Sequence, residues 1–384
     1  MIGIVLLIAA LSGLSWLLIG RIGDWARRRA VLDVPDGRKQ HDRPTPTGGG
    51  LAVAGLCLTG LTVAGACGLV VLDRGMVGYL AAALLVASVS WIDDLRPLSS
   101  RFRLVVHAVA AVLVLAVATP WNRIDLPVLG AWHLSHWGFA VGFVWLVGLT
   151  NAYNFIDGLD GLAGTGAALA AGGWLVVAWL TGQPAVGLLA MLLLASTAGF
   201  LVHNWPPARI FMGDVGSTFC GFSLAAIGLL AADAEPRLAV TAVLFVWPFV
   251  FDAGLTFLRR VVRRENVFLP HRTHLYQRLA ATGLPARRIV LLYGGLTLIG
   301  LVLGVGFALE PGFGWPAILV PPICAFGLWR LVRRRENALS DKLMATNALV
   351  APVAAGRGEG VGEAGGTGQA GGARGARPTL RVGR

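Results

Sequence analysis

Long apolar segments separated by short polar stretches make up most of this 384-residue chain. Eleven of the segments carry no charge or almost none, and each is long enough to cross a bilayer as a helix. They cover approximately residues 2–20, 48–72, 75–92, 104–120, 134–150, 161–181, 185–203, 215–232, 238–258, 288–309 and 313–330. The pattern therefore predicts an all-α polytopic membrane protein with about eleven transmembrane helices.

The end of the chain has a different composition. Residues 333–384 are rich in Gly, Ala and Arg and lose the apolar periodicity of the preceding segments. Such a composition is typical of disordered segments, which cannot bury enough apolar surface to fold. We therefore expect an integral membrane domain over residues 1–332 and a disordered cytoplasmic tail over residues 333–384.

The basic residues predict the orientation in the membrane. If the loop after the first helix is cytoplasmic, 29 of the 32 Lys and Arg residues lie on that side, and the other side holds Arg74, Arg123 and Arg237. Cytoplasmic loops carry this kind of excess. The amino terminus is thus predicted to be periplasmic or extracellular and the carboxyl terminus cytoplasmic. The same rule explains the net charge of +12 without nucleic acid, which would require basic residues clustered on a soluble face.

The polar clusters all fall on the predicted cytoplasmic side. In one of them an amide or a carboxylate recurs at every third position, at Asn151, Asn154, Asp157 and Asp160. This spacing brings neighbouring members close together on a helix or a 3₁₀ turn. Helix capping explains one such residue but not four. Carboxylates without a Lys or Arg beside them, next to a membrane, predict a bound cation or a phosphate-bearing ligand.

Two further clusters contain carboxylates at predicted helix ends. Asp93 and Asp94 are adjacent, so their charges repel, and we expect one of them to be neutral or to lie near a metal ion. Either state suits a general base. Asp214 lies between glycines after the aromatic Phe211. It suits a helix cap or, equally, a magnesium ligand beside a stacked base.

The remaining clusters suggest anion binding. The glycines at 48–50 follow a proline-rich loop and would leave backbone N–H groups for an anion at the start of a helix. In the longest inner loop, a surface helix would place His271, His274 and Arg278 on one face. We favour phosphate binding by these side chains over zinc binding, because no third metal ligand has suitable spacing.

Together these residues favour phosphoryl transfer between a soluble nucleotide and a lipid-borne phosphate at the membrane surface. A secondary transporter is the main alternative, but transporters place their ionisable groups near the bilayer midplane. A scaffold that binds anionic lipids would explain the basic bias. It would leave the Asn and Asp clusters without a role.

Five segments, in this order, resemble motifs of the polyprenyl-phosphate N-acetylhexosamine-1-phosphate transferases, which belong to glycosyltransferase family 4 and include phospho-N-acetylmuramoyl-pentapeptide transferase. The segments are 33–50, 93–103, 151–164, 208–217 and 270–279. The last reads His-Arg-Thr-His where the muramoyl-pentapeptide enzyme has three histidines. The chain is therefore more similar to the branch that initiates O-antigen, capsule or teichoic acid chains.

The resemblance implies a role for each matching position. Asp93 or Asp94 would deprotonate the lipid phosphate, and His271 would complete the catalytic set. Asp214 and Asn154 would hold Mg²⁺, for which Mn²⁺ could substitute. Phe211 would stack on uracil. The substrate-binding set implied is Lys39, Arg103, Asn151, Asp157, Asp160, Phe211, Arg272 and His274.

The resemblance also implies the reaction and its location. An N-acetylhexosamine-1-phosphate would pass from a UDP-sugar to undecaprenyl phosphate, with UMP released, in the inner membrane of a bacterium. Both a direct and a covalent aspartyl-phosphate route stay open, as does a homodimer. Two positions depart from the family pattern, because Arg103 replaces its usual Lys and His107 its usual Gln.

Overall fold

A computed structural model describes residues 2–34, 43–267, 269 and 271–355 of the chain. Over these residues the chain is mainly helical. The helices are α1 (Ile2–Arg28), α2 (Gly50–Ala66), α3 (Arg74–Leu95), α4 (Ser100–Leu115), α5 (Trp137–Ile156), α6 (Leu162–Leu180), α7 (Pro184–Asn204), α8 (Gly213–Ala234), α9 (Leu238–Val262), α10 (Leu275–Ala281), α11 (Ala286–Leu309) and α12 (Gly314–Ala355).

Eleven of these helices match the eleven predicted spans, and α10 is the additional short one. Within the described ranges, nine helices are long and apolar enough to cross a membrane. The other two, α2 and α4, have 17 and 16 residues and are about 25 Å long, slightly less than the hydrocarbon core. The prediction of an all-α polytopic membrane protein is confirmed. The side that each end faces stays a prediction.

Helix α8 lies at the centre of the bundle and is buried along most of its length. It packs against α2, α3, α5 and α9. Its contact with α2 is a glycine contact, since a Cβ on Gly50 would lie 2.2 Å from the Cα of Gly216. Small residues allow membrane helices to approach this closely. The amino-terminal end of α8, which carries Asp214, is therefore surrounded by the ends of its neighbours.

Two short antiparallel pairs of strands complete the structure. Strands β1 (Leu32–Asp33) and β2 (Thr45–Pro46) pair between α1 and α2. Strands β3 (Arg123–Leu126) and β4 (Gly130–His133) form a hairpin before α5. The hairpin lies where α5 begins, whereas the Asn and Asp cluster lies where α5 ends. The apolar pattern did not predict either pair, because strands of two to four residues are too short to show a periodicity.

The last helix continues past the predicted boundary at residue 332. One compact unit of the structure ends at Glu336, and α12 runs from Gly314 to Ala355. Helix thus occupies residues 333–355, where the composition predicts disorder. The segment from 333 to 344 contains many Arg, Leu, Ala, Glu and Lys residues, which favour helix even when the helix is exposed. The division into a membrane domain and a tail stays a prediction.

Candidate active site

Asp214 is the second residue of α8, and side chains from two other helices bind its carboxylate. Arg103 Nη1, from α4, donates to Asp214 Oδ2 at 2.7 Å. Asn154 Nδ2, from α5, donates to Asp214 Oδ1 at 2.8 Å. The Arg103 and Asp214 side chains are 29% and 32% exposed, so a ligand can reach them. The structure therefore brings together three residues that the sequence predicts for one site.

The two adjacent aspartates have different surroundings. Both oxygens of Asp94 accept backbone N–H groups at the start of α8, from Asp214 at 2.7 Å and from Val215 at 3.0 Å. Asp94 thus caps a helix that is not its own. Asp93 is buried and accepts the N–H of Leu98 at 2.5 Å and Arg103 Nη1 at 2.9 Å. One nitrogen of Arg103 consequently bridges Asp93 and Asp214.

The cap by Asp94 requires a glycine before Asp214. Gly213 has a φ of +76°, and a Cβ built on it would lie 2.6 Å from Asp94 Oδ2. A side chain at this position would therefore meet both backbone strain and a direct clash with the capping carboxylate.

The cluster at 151–160 is divided by the end of α5 at Ile156. Asn151 and Asn154 lie on the helix, as their spacing predicts, whereas Asp157 and Asp160 lie in the turn that follows. Asn151 donates to the carbonyl of Val147 at 2.7 Å within its own helix. Asn154 donates also to Ser217 Oγ at 3.0 Å, so this amide binds two side chains of α8.

Asp157 has an acidic environment. Burial raises the pKa of its carboxyl well above the usual range, and the negative charges of Asp214, Asp94 and Asp160 raise the pKa further. Neighbouring carboxylates favour the neutral form of this carboxyl group. A cation bound among them would offset their repulsion and stabilise its ionised form. The bound cation or phosphate-bearing ligand expected at this cluster stays a prediction, and the acidic surroundings of Asp157 are consistent with a cation.

The turn after α5 is attached to the loop before α8. Asp160 Oδ2 accepts the N–H of Ala208 at 2.9 Å. The side chain of Asn204, buried at the end of α7, bridges the same two segments, because it accepts the N–H of Gly161 at 2.8 Å and donates to the carbonyl of Ile210 at 2.9 Å. Sequence reasoning missed Asn204. An amide at the end of an apolar run was the available signal.

Gly49 and Gly50, two of the three glycines at 48–50, have no free backbone N–H group for an anion, so the prediction of anion binding is wrong for these two residues. Their N–H groups donate to backbone carbonyls, from Gly49 to Phe211 at 3.0 Å and from Gly50 to Met212 at 2.8 Å. In return, the N–H of Phe211 donates to the carbonyl of Pro46 at 2.8 Å. These bonds fix the backbone around Phe211 instead. The predicted phosphate ligand Lys39 lies outside the described residues.

The predicted surface helix through His271, His274 and Arg278 is also wrong. Helix α10 begins only at Leu275, so the two histidines precede it and their rings lie 5.0 Å apart, centroid to centroid. Arg278 lies on α10 and binds both carboxylate oxygens of Glu336 at 2.7 Å. Arg278 is thus engaged in an ion pair with α12. The neighbouring Arg272 is exposed.

Helix α10 also contacts the end of α5. The hydroxyl of Tyr276 donates to the carbonyl of Phe155 at 3.0 Å, and the rings of His274 and Phe155 lie 6.2 Å apart. The histidine segment is therefore attached beside the Asn154 region. These contacts place the described members of the predicted site at one end of the helix bundle.

The carboxylates and amides could hold a magnesium ion. Among the described residues, no group of three or more His, Cys, Asp or Glu side chains has the arrangement of a metal site. Mg²⁺ is usually bound through only one or two carboxylates together with water and substrate phosphates. Asp214 and Asn154, which are in direct contact, supply the oxygen ligands that such an ion prefers. The residues present therefore fit Mg²⁺.

The fold and the site define a polytopic membrane protein with a cluster of carboxylates around one arginine at one end of its helices. The model of the family described as glycosyl transferase family 4 matches residues 76–232. This range runs from α3 to α8 and contains Asp93, Asp94, Arg103, Asn154 and Asp214. The chain belongs to glycosyl transferase family 4, as its motifs indicate.

Curated bacterial proteins extend the similarity beyond that range. A probable undecaprenyl-phosphate N-acetylglucosaminyl 1-phosphate transferase of Bacillus subtilis is 30% identical over 72% of this chain and 76% of its own length. A decaprenyl-phosphate N-acetylglucosaminephosphotransferase of Mycobacterium leprae is 30% identical over 85% and 92%. A phospho-N-acetylmuramoyl-pentapeptide-transferase of Lactiplantibacillus plantarum is 41% identical over 32% and 37%.

Proposed function

We propose that this protein transfers an N-acetylhexosamine-1-phosphate, N-acetylglucosamine-1-phosphate in the first place, from a UDP-sugar to a polyprenyl phosphate. The observation that carries the proposal is the bridge of Arg103 between Asp93 and Asp214, beside Asn154, at one end of a membrane bundle. Relatives that cover most of the chain are named for this type of transfer to undecaprenyl or decaprenyl phosphate. Undecaprenyl phosphate is therefore the first acceptor to test.

The reaction proposed is a displacement at phosphorus. An oxygen of the polyprenyl phosphate attacks the β-phosphorus of the UDP-sugar, and the bond from this phosphorus to the bridging oxygen breaks. UMP leaves with the bridging oxygen, and the lipid carries a diphosphate sugar. Such a reaction depends mainly on positioning and on stabilisation of negative charge. The partly exposed guanidinium of Arg103 and the carboxylates beside it could supply both.

The acceptor phosphate does not require a strong base. A phosphate monoester has a second pKa of about 6 and is largely ionised at neutral pH. Asp93 or Asp94 would take the last proton and guide the phosphate, as predicted from the sequence. Because both oxygens of Asp94 hold backbone N–H groups of α8, Asp94 also fixes the position of Asp214.

In this proposal Asp214 and Asn154 hold Mg²⁺, with Mn²⁺ as an alternative, and the ion supplies charge neutralisation at the donor phosphates when it is bound. Asp157, Asp160 and Asn151 lie on the nucleotide side, and Phe211 stacks on uracil. His271, Arg272 and His274 bind phosphate or sugar, as does Lys39. Among the described members of this set, Arg272 has an exposed side chain that a phosphate could reach.

The test uses purified protein with undecaprenyl phosphate, Mg²⁺ and a panel of UDP-aminosugars. We expect UMP release that depends on Mg²⁺ and a lipid product whose mass identifies the sugar. Asp214→Asn should lose the activity. Asp233→Asn makes the same change at the exposed, opposite end of α8 and should keep it. Full activity in Asp214→Asn would refute the metal assignment, and solute uptake by proteoliposomes without UMP release would favour a transporter.

A further inference from the structure

Asp252 is a carboxylate buried inside the membrane bundle, and no step of the proposed reaction uses it. It lies on α9 with 0% of its surface exposed. A buried carboxylate is costly unless hydrogen bonds compensate it. Its contacts are the N–H groups of Leu275 at 2.8 Å and Tyr276 at 3.1 Å, the Tyr293 hydroxyl at 2.5 Å, His274 Nδ1 at 3.3 Å and Thr256 Oγ1 at 3.4 Å.

Most of these contacts lead to the histidine segment. The two backbone N–H groups belong to the first residues of α10, and His274 immediately precedes them. A second residue of α9, Arg259, donates to the carbonyl of Thr273 at 3.0 Å. Side chains of α9 therefore bind four consecutive residues, 273–276. Asp252 does so from inside the bundle, and Arg259 from its end.

The carboxylate also determines the orientation of the His274 ring. A carboxylate accepts hydrogen bonds, so Nδ1 is the ring nitrogen that donates in this contact when Asp252 is ionised. Nε2 then lies on the side of the ring away from Asp252. A carboxylate behind an imidazole commonly sets its tautomer and its orientation in this way. His274 is 3% exposed, so the ring is almost fully buried.

The same helical turn reaches the acidic cluster. Tyr276, whose N–H binds Asp252, donates through its hydroxyl to the carbonyl of Phe155. A Cβ on Gly158, in the turn after α5, would lie 2.3 Å from this hydroxyl. The contact between α10 and the turn that carries Asp157 is therefore close. A displacement of the first turn of α10 would move the histidines relative to the acidic cluster.

We propose that Asp252 is a positioning residue, which holds His271–His274 and the start of α10 against the 154–160 segment and does not itself touch substrate. The proposal rests on the transferase function proposed above. It assigns a use to a charge inside a membrane helix, whose burial would otherwise only destabilise the protein.

The test combines a chemical readout with a kinetic one. Diethyl pyrocarbonate modifies accessible imidazoles, and mass spectrometry gives the rate at each histidine. In the unmodified protein His274 should react slowly and the half-buried His271 faster. Asp252→Asn should raise the rate at His274 about tenfold or more, because the amide has no charge and one acceptor oxygen for five donors, so the contacts that hold His274 and the start of α10 weaken. In the transferase assay, kcat/KM should fall by about 10–100-fold, which is a typical loss when the hydrogen-bond partner that orients a functional side chain is removed.

Matched variants separate positioning from stability. Thr256→Val removes a contact to the same carboxylate but none to the segment, so both readouts should stay near those of the unmodified protein. Asp252→Glu keeps the charge and moves it, so it should give an intermediate labelling rate and partial activity. Melting temperatures show which variants are folded.

Folded Asp252→Asn protein with His274 still protected and with unchanged kcat/KM would overturn the proposal. If Asp252→Asn protein does not accumulate, the labelling rate and kcat/KM of Asp252→Glu decide instead. If neither variant folds, the result counts against a positioning role and indicates that Asp252 is needed for stability. The labelling experiment needs no substrate. A chain without transferase activity would therefore refute the proposed function while the labelling still tests the position of His274.

Discussion

The starts of α8 and α10 are built in the same way but have different surroundings. At each, a carboxylate from another helix accepts two consecutive backbone N–H groups, Asp94 for α8 and Asp252 for α10. Asp94 lies among charged, partly exposed groups, with Arg103 and Asp214 beside it. Asp252 is fully buried, and its other partners are Tyr, Thr and His side chains. The comparison indicates that the capping carboxylate sets position in both places, whereas the carboxylates and the arginine that the proposed phosphoryl transfer uses lie at the start of α8.

The largest effect is expected from weakening the cap of α8. Asp94→Asn replaces one of the two acceptor oxygens with a donor, so the N–H of either Asp214 or Val215 loses its partner. We expect the loss of about 1–2 kcal/mol of stability that follows loss of a helix cap, together with a fall in transferase rate of about 100-fold or more, as Asp214 shifts.

Asp73 provides the control for that variant. It caps its own helix, α3, by accepting the N–H of Met76 at 2.7 Å, and it lies at the opposite end of α3 from Asp94. Asp73→Ala removes that cap, so it should cost similar stability, about 1–2 kcal/mol, and leave the UMP release rate within about twofold. Equal loss of activity in both variants would mean that the effect of Asp94 is only one of stability. Thermal denaturation and the UMP assay on the same preparations distinguish these outcomes.

The next effect tests the positive charge at the start of α8. Arg103 contacts both Asp93 and Asp214 through a single nitrogen, Nη1. An ammonium group can make the same two contacts, although Lys cannot replace Arg where the whole guanidinium fork is used. Arg103→Lys should therefore keep activity within about tenfold. Arg103→Ala leaves two close carboxylates without a counter-charge and should lose about 100-fold or more.

The kinetic comparison of the two Arg103 variants is made at saturating and at limiting polyprenyl phosphate. A loss in Arg103→Lys as large as that in Arg103→Ala would show that the other guanidinium nitrogens bind substrate. The bridge between Asp93 and Asp214 would then not be the main contribution of Arg103.

A smaller effect should follow from obstructing the cap without changing a charge. Gly213 and Gly283 both have positive φ angles, +76° and +80°. A Cβ on Gly213 would lie 2.6 Å from Asp94, whereas nothing lies within 4 Å of a Cβ on Gly283. Gly283→Ala should cost about 1 kcal/mol for the backbone alone. Gly213→Ala should cost about 1–3 kcal/mol more and reduce activity, and equal unfolding free energies would contradict the clash.

Much of the fold could be predicted because burial in a membrane depends mainly on composition. Each apolar run can form its backbone hydrogen bonds within its own helix, whichever segments pack against it. Likewise, Asp93, Asp94, Asn154 and Asp214 could be selected because uncompensated polar groups at helix ends are costly. In the structure Asp94 and Asn154 contact Asp214, and Arg103 links Asp214 to Asp93.

The errors arose where distant contacts determine local structure. The N–H groups of Gly49 and Gly50 are free in a local view, but the carbonyls of Phe211 and Met212, 162 residues further along the chain, occupy them. The start of α10 is likewise set by Asp252, which lies 23 residues before Leu275. Periodicity cannot show either contact, because both depend on the tertiary arrangement.

The smallest effect concerns the charge on α10 itself. The sequence suggests phosphate binding by Arg278, but its guanidinium forms a two-point ion pair with Glu336, and the side chains are 16% and 32% exposed. Partly exposed pairs contribute about 0.2–1 kcal/mol. Arg278→Gln and Glu336→Gln should each lower stability by about that amount, and the double variant should lose little more, because each single change already removes the pair. Transferase activity should stay within about twofold in all three. Loss of activity in Arg278→Gln alone, with Glu336→Gln unaffected, would show that Arg278 does bind phosphate. Residues of α10 as well as of α8 would then supply charge to the reaction.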